Sequence, residues 1–246
     1  MKLSVLIPAH NEEGNVARAV KAVSQKLIEE KIDHEILVVN DHSTDGTHEA
    51  LESLAKEIPN FFFYENEDLA GFGRAVRFGF GRFKGDCVAV MMADLSDSPE
   101  DLVAFYRAML EGTDCVFGSR FIRGGQTMDY PPLKLALNRL ANELTRIVFA
   151  IPYNDFTNAF KLYRRTTIQG LQPLLSAHFN LTLELPLKAV VRGYSYKVLP
   201  NSWTNRKSGE SKLKIKEMGS RYFFIFLYCL IEKYLSKGDY RKPKAC

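Results

Sequence analysis

Between Leu3 and Ser119, short apolar runs alternate with longer stretches of helical period, and this alternation restricts the fold more than any other feature of the chain. The runs LSVLIP (3–8), EILVVN (35–40), FFFY (61–64), CVAVMMA (87–93) and CVFGS (115–119) are apolar on both faces and read as buried strands. The segments between them, 12–30, 45–57, 72–83 and 99–111, read as helices. The last of these has a marked start: Ser98 can cap it, Pro99 suits the first turn, and Asp101 completes a capping box. Alternation of this kind predicts an α/β fold with a mostly parallel central sheet flanked by helices.

Beyond Gly118 the pattern changes. PPLKLALNRLANELTRIVFA predicts a helix of about 17 residues, NDFTNAFKLYRR a return to strand, NLTLELPLKAVVRG another helix, and YKVLPNSW a further strand. A basic loop, NRKSGESKLK, then leads into a last helix. No linker separates these pieces from the sheet, and no repeat or low-complexity segment interrupts them.

In parallel α/β sheets ligands sit at the carboxyl ends of the strands. The polar clusters of this chain fall there: PAHNEE after the first strand, NDHSTDGT after the second, DLSD after the fourth, GSR after the fifth. Turns and caps account for each cluster singly, and for Asp45 and Gly46 in particular. Four of them on one edge point to a shared site. The first strand is not followed by GxGxxG, which argues against a dinucleotide-binding domain, and there is no phosphate-loop lysine motif. A carboxylate at a strand end can instead bind a nucleobase edge or a ribose hydroxyl, and Asp94 can hold a divalent cation against a diphosphate. A nucleotide-diphosphate sugar requires that combination.

Seven stretches carry a family resemblance: VLIPAHNEE, ILVVNDHSTDGT, GFGRAVRFGF, MADLSDSPEDL, GSRFIRGG, NDFTNAFKLYRR and GESKLK, in this order across about residues 3 to 215. Each is weak alone; the ordered set resembles glycosyltransferase family 2, with its GT-A nucleotide-sugar-binding fold. Within the family the chain is most similar to the polyprenyl-phosphate (dolichol-phosphate) mannosyl- and glucosyltransferases. The resemblance implies an inverting transfer of a hexose, mannose or glucose, from a nucleotide-diphosphate sugar to a polyisoprenyl phosphate, with Mg²⁺ or Mn²⁺ as cofactor. It implies that Pro8, His10, Glu12 and Asp41 line the pocket for base and ribose, joined on the donor side by Ala93, Asp94, Ser96 and Lys212. Asp94 matches the second aspartate of the family's DxD motif, with Ser96 and Asp97 as further candidate metal ligands. Arg120 matches a phosphate-holding arginine, and Arg206 and Lys212 a basic loop that closes over the diphosphate. Asp94, Arg120 and Arg206 are thus the expected catalytic groups. Glu184 lies in a helix matching one that faces the sugar.

One position departs from the pattern. Met92 stands where the DxD motif has its first aspartate, and a thioether is a poor ligand for Mg²⁺ or Mn²⁺. Either Asp94 works with Asp97, Ser96 and donor oxygens, or metal affinity is low, or the chain binds nucleotide sugar without catalysis. The acceptor also bears on the chemistry. A sugar hydroxyl, as on a surface polysaccharide, usually needs a general base. A phosphate monoester is already anionic, and Arg120, Lys134 and Arg139 can anchor it. His10, His42 and His48 lie near the edge, each with an equally good role in a turn or cap.

The net charge of +4 is unevenly spread: residues 201–246 hold 11 Lys/Arg against 4 Asp/Glu. A basic tail suggests an anionic partner. Its apolar run, Tyr222 to Ile231, is too short to span a bilayer but suits an interfacial helix, or one that packs on the sheet or on a second copy. We therefore divide the chain into a GT-A domain, 1–215, and a C-terminal amphipathic helix with a basic tail, 216–246. The expected partners are nucleotide sugar, polyisoprenyl phosphate and a membrane surface, with a homodimer possible and no nucleic acid. The N-terminus runs directly into a strand without a signal peptide, and Cys87, Cys115, Cys229 and Cys246 form no CxxC pair. Both features fit reduced thiols in a cytoplasmic protein, peripheral on the inner face of the cytoplasmic membrane.

Overall fold

The computed structural model describes residues 1–204 and 215–243. The strands are β1 (Leu3–Ala9), β2 (His34–Asn40), β3 (Phe61–Glu65), β4 (Cys87–Val90), β5 (Cys115–Ser119), β6 (Gln126–Met128), β7 (Lys161–Arg164), β8 (Tyr196–Pro200) and β9 (Ser202–Thr204). The helices are α1 (Val16–Glu29), α2 (Thr47–Glu57), α3 (Phe72–Phe80), α4 (Pro99–Leu110), α5 (Pro132–Phe149), α6 (Arg165–Gly170), α7 (Leu181–Val191) and α8 (Ile215–Leu235).

The expected α/β class holds. A seven-stranded sheet runs in the order β3-β2-β1-β4-β7-β5-β8, and β6 and β9 form a separate two-stranded sheet. Every residue of β1 and β2 is buried, because helices cover both faces and leave no polar side of the sheet. The exception to parallel order is β7, which runs antiparallel to both of its neighbours, β4 and β5. The fourth strand is also shorter than the apolar run CVAVMMA predicts. Its ladder ends where Val90 pairs with Lys161, the first residue of β7, so Met91 to Ala93 leave the sheet. Ser98 caps α4 as expected, accepting a bond from the Glu100 backbone N–H at 3.1 Å. Asp101 does not complete a capping box: its carboxylate accepts from the Ser202 backbone N–H at 2.7 Å, tying α4 to β9.

Helix α7 is buried along Leu181 to Ala189. Its two charged side chains lie at 0% exposure and pair at 2.7 Å, Lys188 Nζ to Glu184 Oε1. Glu184 also accepts from the backbone N–H groups of Leu175 (2.8 Å) and Ser176 (2.7 Å), and Lys188 donates to the Pro173 carbonyl. The Glu184 carboxylate is therefore turned inward, where it fixes the 173–176 turn. α8 packs one face on α7: Ile225 and Cys229 are fully buried, and Glu232 forms a bidentate pair with Arg192 at 2.7 and 3.0 Å.

Glu184→Ala would leave the Lys188 charge and two backbone donors buried without an anion, and should cost ~3–5 kcal/mol in urea denaturation. Pairing it with Lys188→Met should restore part of the loss. A double variant less stable than the single would show that the charge is not the source.

Candidate active site

The parallel strands β2, β1 and β4 end side by side, and they deliver Asp41, His10 and Asp94 to one edge in that order. Because β7 runs the other way, the loop that enters it, 155–160, lies at the same edge. β5 follows and ends at Ser119, so Arg120 completes the row.

At the β1/β2 end much of the polar sequence is used to join two loops. The Asn11 N–H donates to Ser43 Oγ (2.9 Å), Thr44 N–H to Asn11 Oδ1 (2.7 Å), Glu12 N–H to Thr47 Oγ1 (2.9 Å) and Gly46 N–H to Glu13 (3.0 Å). Asp45 accepts from Thr47, the turn role that was open to it. Glu12 is nearly buried and accepts from Asn15 at 2.9 Å. The stitched loops form the wall behind Asp41 and His10. Asp41 is 6% exposed; one carboxylate oxygen accepts from Asn66 Nδ2 (2.7 Å) and the other from the Gly71 N–H (2.8 Å). His42 Nδ1 also lies 3.4 Å from the first of these oxygens, so the second keeps the lone pair better placed to accept from a ligand. His10 Nδ1 lies 2.6 Å from the Asp41 carbonyl, which fixes its ring beside that pocket. Gly71 adopts φ +151°, and a Cβ there would meet the Ala177 carbonyl at 2.4 Å, so the turn carrying His178 closes over this end of the edge.

The Asp94–Asp97 loop is tight. Asp94 Oδ1 accepts from the Ser96 N–H at 3.0 Å, and Leu95 sits at φ +55°, a left-handed conformation that costs a branched side chain energy. The turn buries Ser96 and Asp97 and leaves Asp94 half-exposed. Asp97 Oδ1 has no hydrogen-bond partner. Burial, then the neighbouring Asp94 charge, push the Asp97 carboxyl up to about 7. Among the described residues no group of three or more His, Cys, Asp or Glu is arranged as a complete metal site. Two carboxylates on one turn, one with an unsatisfied buried oxygen, nonetheless fit a divalent cation that takes its remaining ligands from a diphosphate.

Arg120 is 8% exposed and held in a bidentate pair with Asp155: Nε to Oδ2 at 2.8 Å and Nη2 to Oδ1 at 2.6 Å. The Arg120 backbone N–H adds a third bond to Asp155 at 3.0 Å. Burial works against the guanidinium charge, but Asp155 more than offsets it and the pKa is raised. The rings of Phe121, Tyr130 and Trp203 surround it with centroids 5.2–5.9 Å from the guanidinium carbon. Beneath the pair, the buried Lys161 donates to the carbonyls of Phe156 (3.0 Å) and Asn158, bracing the loop that carries Asp155. Arg139, on α5, lies over the Phe121 ring at 4.6 Å, and Lys134 is half-exposed one turn earlier. Pro8 is buried near the end of β1, and Ala93 is buried in the turn beyond β4. Arg206 and Lys212 lie outside the described residues.

Asp155, Tyr130, Trp203 and Lys161 are the residues that reading for individual roles misses. NDFTNAFKLYRR contained Asp155 and Lys161, but only the reversed direction of β7 brings Asp155 to Arg120.

The sheet order and the strand-end row are those of a glycosyltransferase of GT-A fold. The chain belongs to glycosyl transferase family 2, whose model matches residues 4–171. It is 32% identical over 215 residues to a polyprenol monophosphomannose synthase of Mycolicibacterium smegmatis, covering 85% of this chain and 80% of that protein. It is 31% identical to a dolichol-phosphate mannosyltransferase of Pyrococcus furiosus, covering 88% of this chain but 60% of the relative's length. In solved structures the fold recurs in glucosyl-3-phosphoglycerate synthase from Mycobacterium tuberculosis, crystallised with Mn²⁺, uridine diphosphate and glucosyl-3-phosphoglycerate. There the TM-score is 0.70 and the identity 16%, over 94% of this chain and 79% of that one.

The Asp97 carboxyl has a folded pKa above its ordinary value of 3.8. The folded state therefore holds the proton more tightly than the unfolded state, and this contribution to stability is lost as pH rises from about 4 to about 7. Asp97→Asn should raise Tm relative to the parent more at pH 8 than at pH 4.5, measured without added metal. An equal shift at both pH values would contradict the buried, charge-opposed geometry.

Proposed function

We propose that this glycosyltransferase moves a hexose, mannose or glucose, from a nucleotide-diphosphate sugar to a polyisoprenyl phosphate, with inversion at the anomeric carbon. The observation that carries the reading is the division of charge along one edge. Carboxylates stand at the β2, β1 and β4 ends, and a clamped arginine ringed by aromatics stands at the β5 end. The named activities of the mycobacterial and archaeal relatives support it.

In this reading Asp41, His10, Pro8 and Glu12 take the base and ribose, and Ala93 and Ser96 line the passage to the diphosphate. Asp94, Ser96 and Asp97 would hold a divalent cation, which when bound neutralises charge developing on the leaving diphosphate. Met92 contributes no ligand, and Asp97, three residues beyond Asp94, would supply the second carboxylate. Arg120, with Lys134 and Arg139, orients the acceptor phosphate; Asp155 occupies its Nε and Nη2 and so fixes which edge the guanidinium offers. Arg206 and Lys212 are assigned to closure over the diphosphate from the family resemblance alone. A phosphate oxygen attacks the anomeric carbon from the side opposite the diphosphate. The new C–O bond forms as the old one breaks, and the nucleoside diphosphate leaves. The phosphate is anionic at neutral pH, so no proton must be removed from the nucleophile, and no side chain at the acceptor end is assigned as a base. Among the described residues no helix is long and apolar enough to cross a membrane. The reading places the enzyme peripherally, on the inner face of the cytoplasmic membrane where its lipid acceptor lies.

Labelled guanosine- and uridine-diphosphate hexoses, incubated with undecaprenyl phosphate and Mn²⁺, should yield label in the lipid extract, in inverted configuration. Label recovered only on oligosaccharide hydroxyls would overturn the acceptor assignment. Asp94→Asn should lower kcat by more than tenfold, which is about 1.4 kcal/mol of barrier. Asp41→Ala should instead act mainly on the donor KM, because its contacts are remote from the reacting bond. An Asp41→Ala enzyme with unchanged donor KM would remove that residue from the pocket.

A further inference from the structure

Helix α5 is amphipathic in the wrong sense for a helix on a water-soluble domain. Its buried side is largely polar. Asn142 (2% exposed) and Thr145 (5%) face inward with Phe149, and Asn138 and Asn142 donate to Thr157 Oγ1 at 2.8 and 3.2 Å. Its outer side is apolar: Leu133, Leu137, Leu140, Leu144, Ile147 and Val148 are between 38% and 75% exposed. Their three- and four-residue spacing gathers them in an arc of about 100° along the helix. Lys134 borders this arc on one side and Glu143 on the other; beyond Glu143 lie Arg139 and Arg146, the latter paired with Glu143 at 2.5 Å. A solvated helix with this pattern leaves its apolar stripe against water over five turns.

We infer that the outer face of α5 docks into an anionic lipid bilayer and thereby sets the acceptor end of the site at the membrane surface. Three observations select lipid. An apolar arc with Lys134 at one edge and Arg139 beyond the other matches a headgroup layer carrying negative charge, into which the leucines enter and to which these two cations are drawn. The arc has a neighbour. The inward-facing Phe149 at the end of α5 meets Phe226 of α8 at 5.2 Å, which sets the two helices side by side, and α8 exposes its own stripe of Phe223, Leu227, Ile231 and Tyr234 on the side away from α7. The helix is also fastened to the chemistry. Thr157, which receives Asn138 and Asn142, lies two residues from Asp155, the partner of Arg120. A docked α5 thus presents Arg120 and Arg139 close to the plane of lipid phosphates. The choice of lipid as occupant rests in part on the polyisoprenyl-phosphate reading.

The test is flotation of the full chain with vesicles of equimolar phosphatidylglycerol and phosphatidylcholine, containing neither donor nor acceptor. Leu140→Asp/Leu144→Asp should lower the bound fraction on the order of tenfold with α8 intact, and raised salt should weaken the parent's binding. The thermal melt and transfer to a short water-soluble isoprenyl phosphate should be unchanged, while transfer to long-chain acceptor in vesicles falls in step with binding. If that pair misfolds, Leu137→Ser/Ile147→Ser, also exposed, gives the same readout. Equal flotation of variant and parent, or no flotation of the parent, overturns the proposal. So does a parent dimer in sedimentation that the substitutions dissociate while vesicle binding stands, since α5 would then seat a second copy. Flotation that depends on α5, with no transfer to any isoprenyl phosphate, leaves the docking surface standing and removes the acceptor assignment instead.

Discussion

The buried pair between Arg120 and Asp155 is the interaction on which the acceptor end of the molecule depends. A guanidinium at 8% exposure is costly to desolvate, and it is held charged here only because a carboxylate at 0% exposure meets it through two side-chain bonds and one backbone bond. The pair joins the end of β5 to the loop entering β7, strands that are adjacent and opposed in direction. With that junction in place, the rings of Phe121, Tyr130 and Trp203 gather round the guanidinium, and Trp203 draws β9 and β6 to the same edge. Lys161 supports the loop from beneath. Burial lowers its ammonium pKa to about 7, and carbonyl oxygens satisfy it in place of water.

The donor end is built on a different principle. No buried ion pair holds Asp41. The Gly71 backbone N–H and Asn66 do so, and the two loops beside it are sewn together by short polar side chains such as Asn11 and Ser43. Such bonds fix backbone geometry, which suits a pocket that reads a nucleobase and ribose. The Asp94–Asp97 turn lies between the two ends and carries the least satisfied groups of the edge. It combines a left-handed leucine, a buried oxygen with no partner and a carboxyl, Asp97, whose ionisation is opposed by burial and by the Asp94 charge. Strain and unsatisfied polarity of this kind belong at functional sites rather than in a scaffold.

α5 and α8 extend the same division outward. Both use one face to bind the domain and leave the other apolar and open, and both border the acceptor end. On α8 the inner face is conventional, with Ile225 and Cys229 in the core and Glu232 paired to Arg192. On α5 the inner face is polar, and attachment depends on asparagine bonds to Thr157.

Much of this was legible in the residues alone. Strand–helix alternation from Leu3 to Ser119 determined the class, since runs such as LSVLIP and EILVVN are apolar on both faces only if helices cover both. The polar clusters after those strands located the edge, because parallel strands put their carboxyl ends together. The tertiary structure alone decided what pairing direction and burial decide. The antiparallel β7 brought Asp155 to Arg120 across 35 residues of chain. Glu184 turned into the core because Lys188, one helical turn later, needed an anion there. Asp101 left its expected cap for the Ser202 amide, a partner 101 residues away. The period of α5 identified a helix but not its orientation. A stripe of leucines looks the same whether it faces a core or a membrane, and only the asparagines bonded to Thr157 show that the apolar side points out.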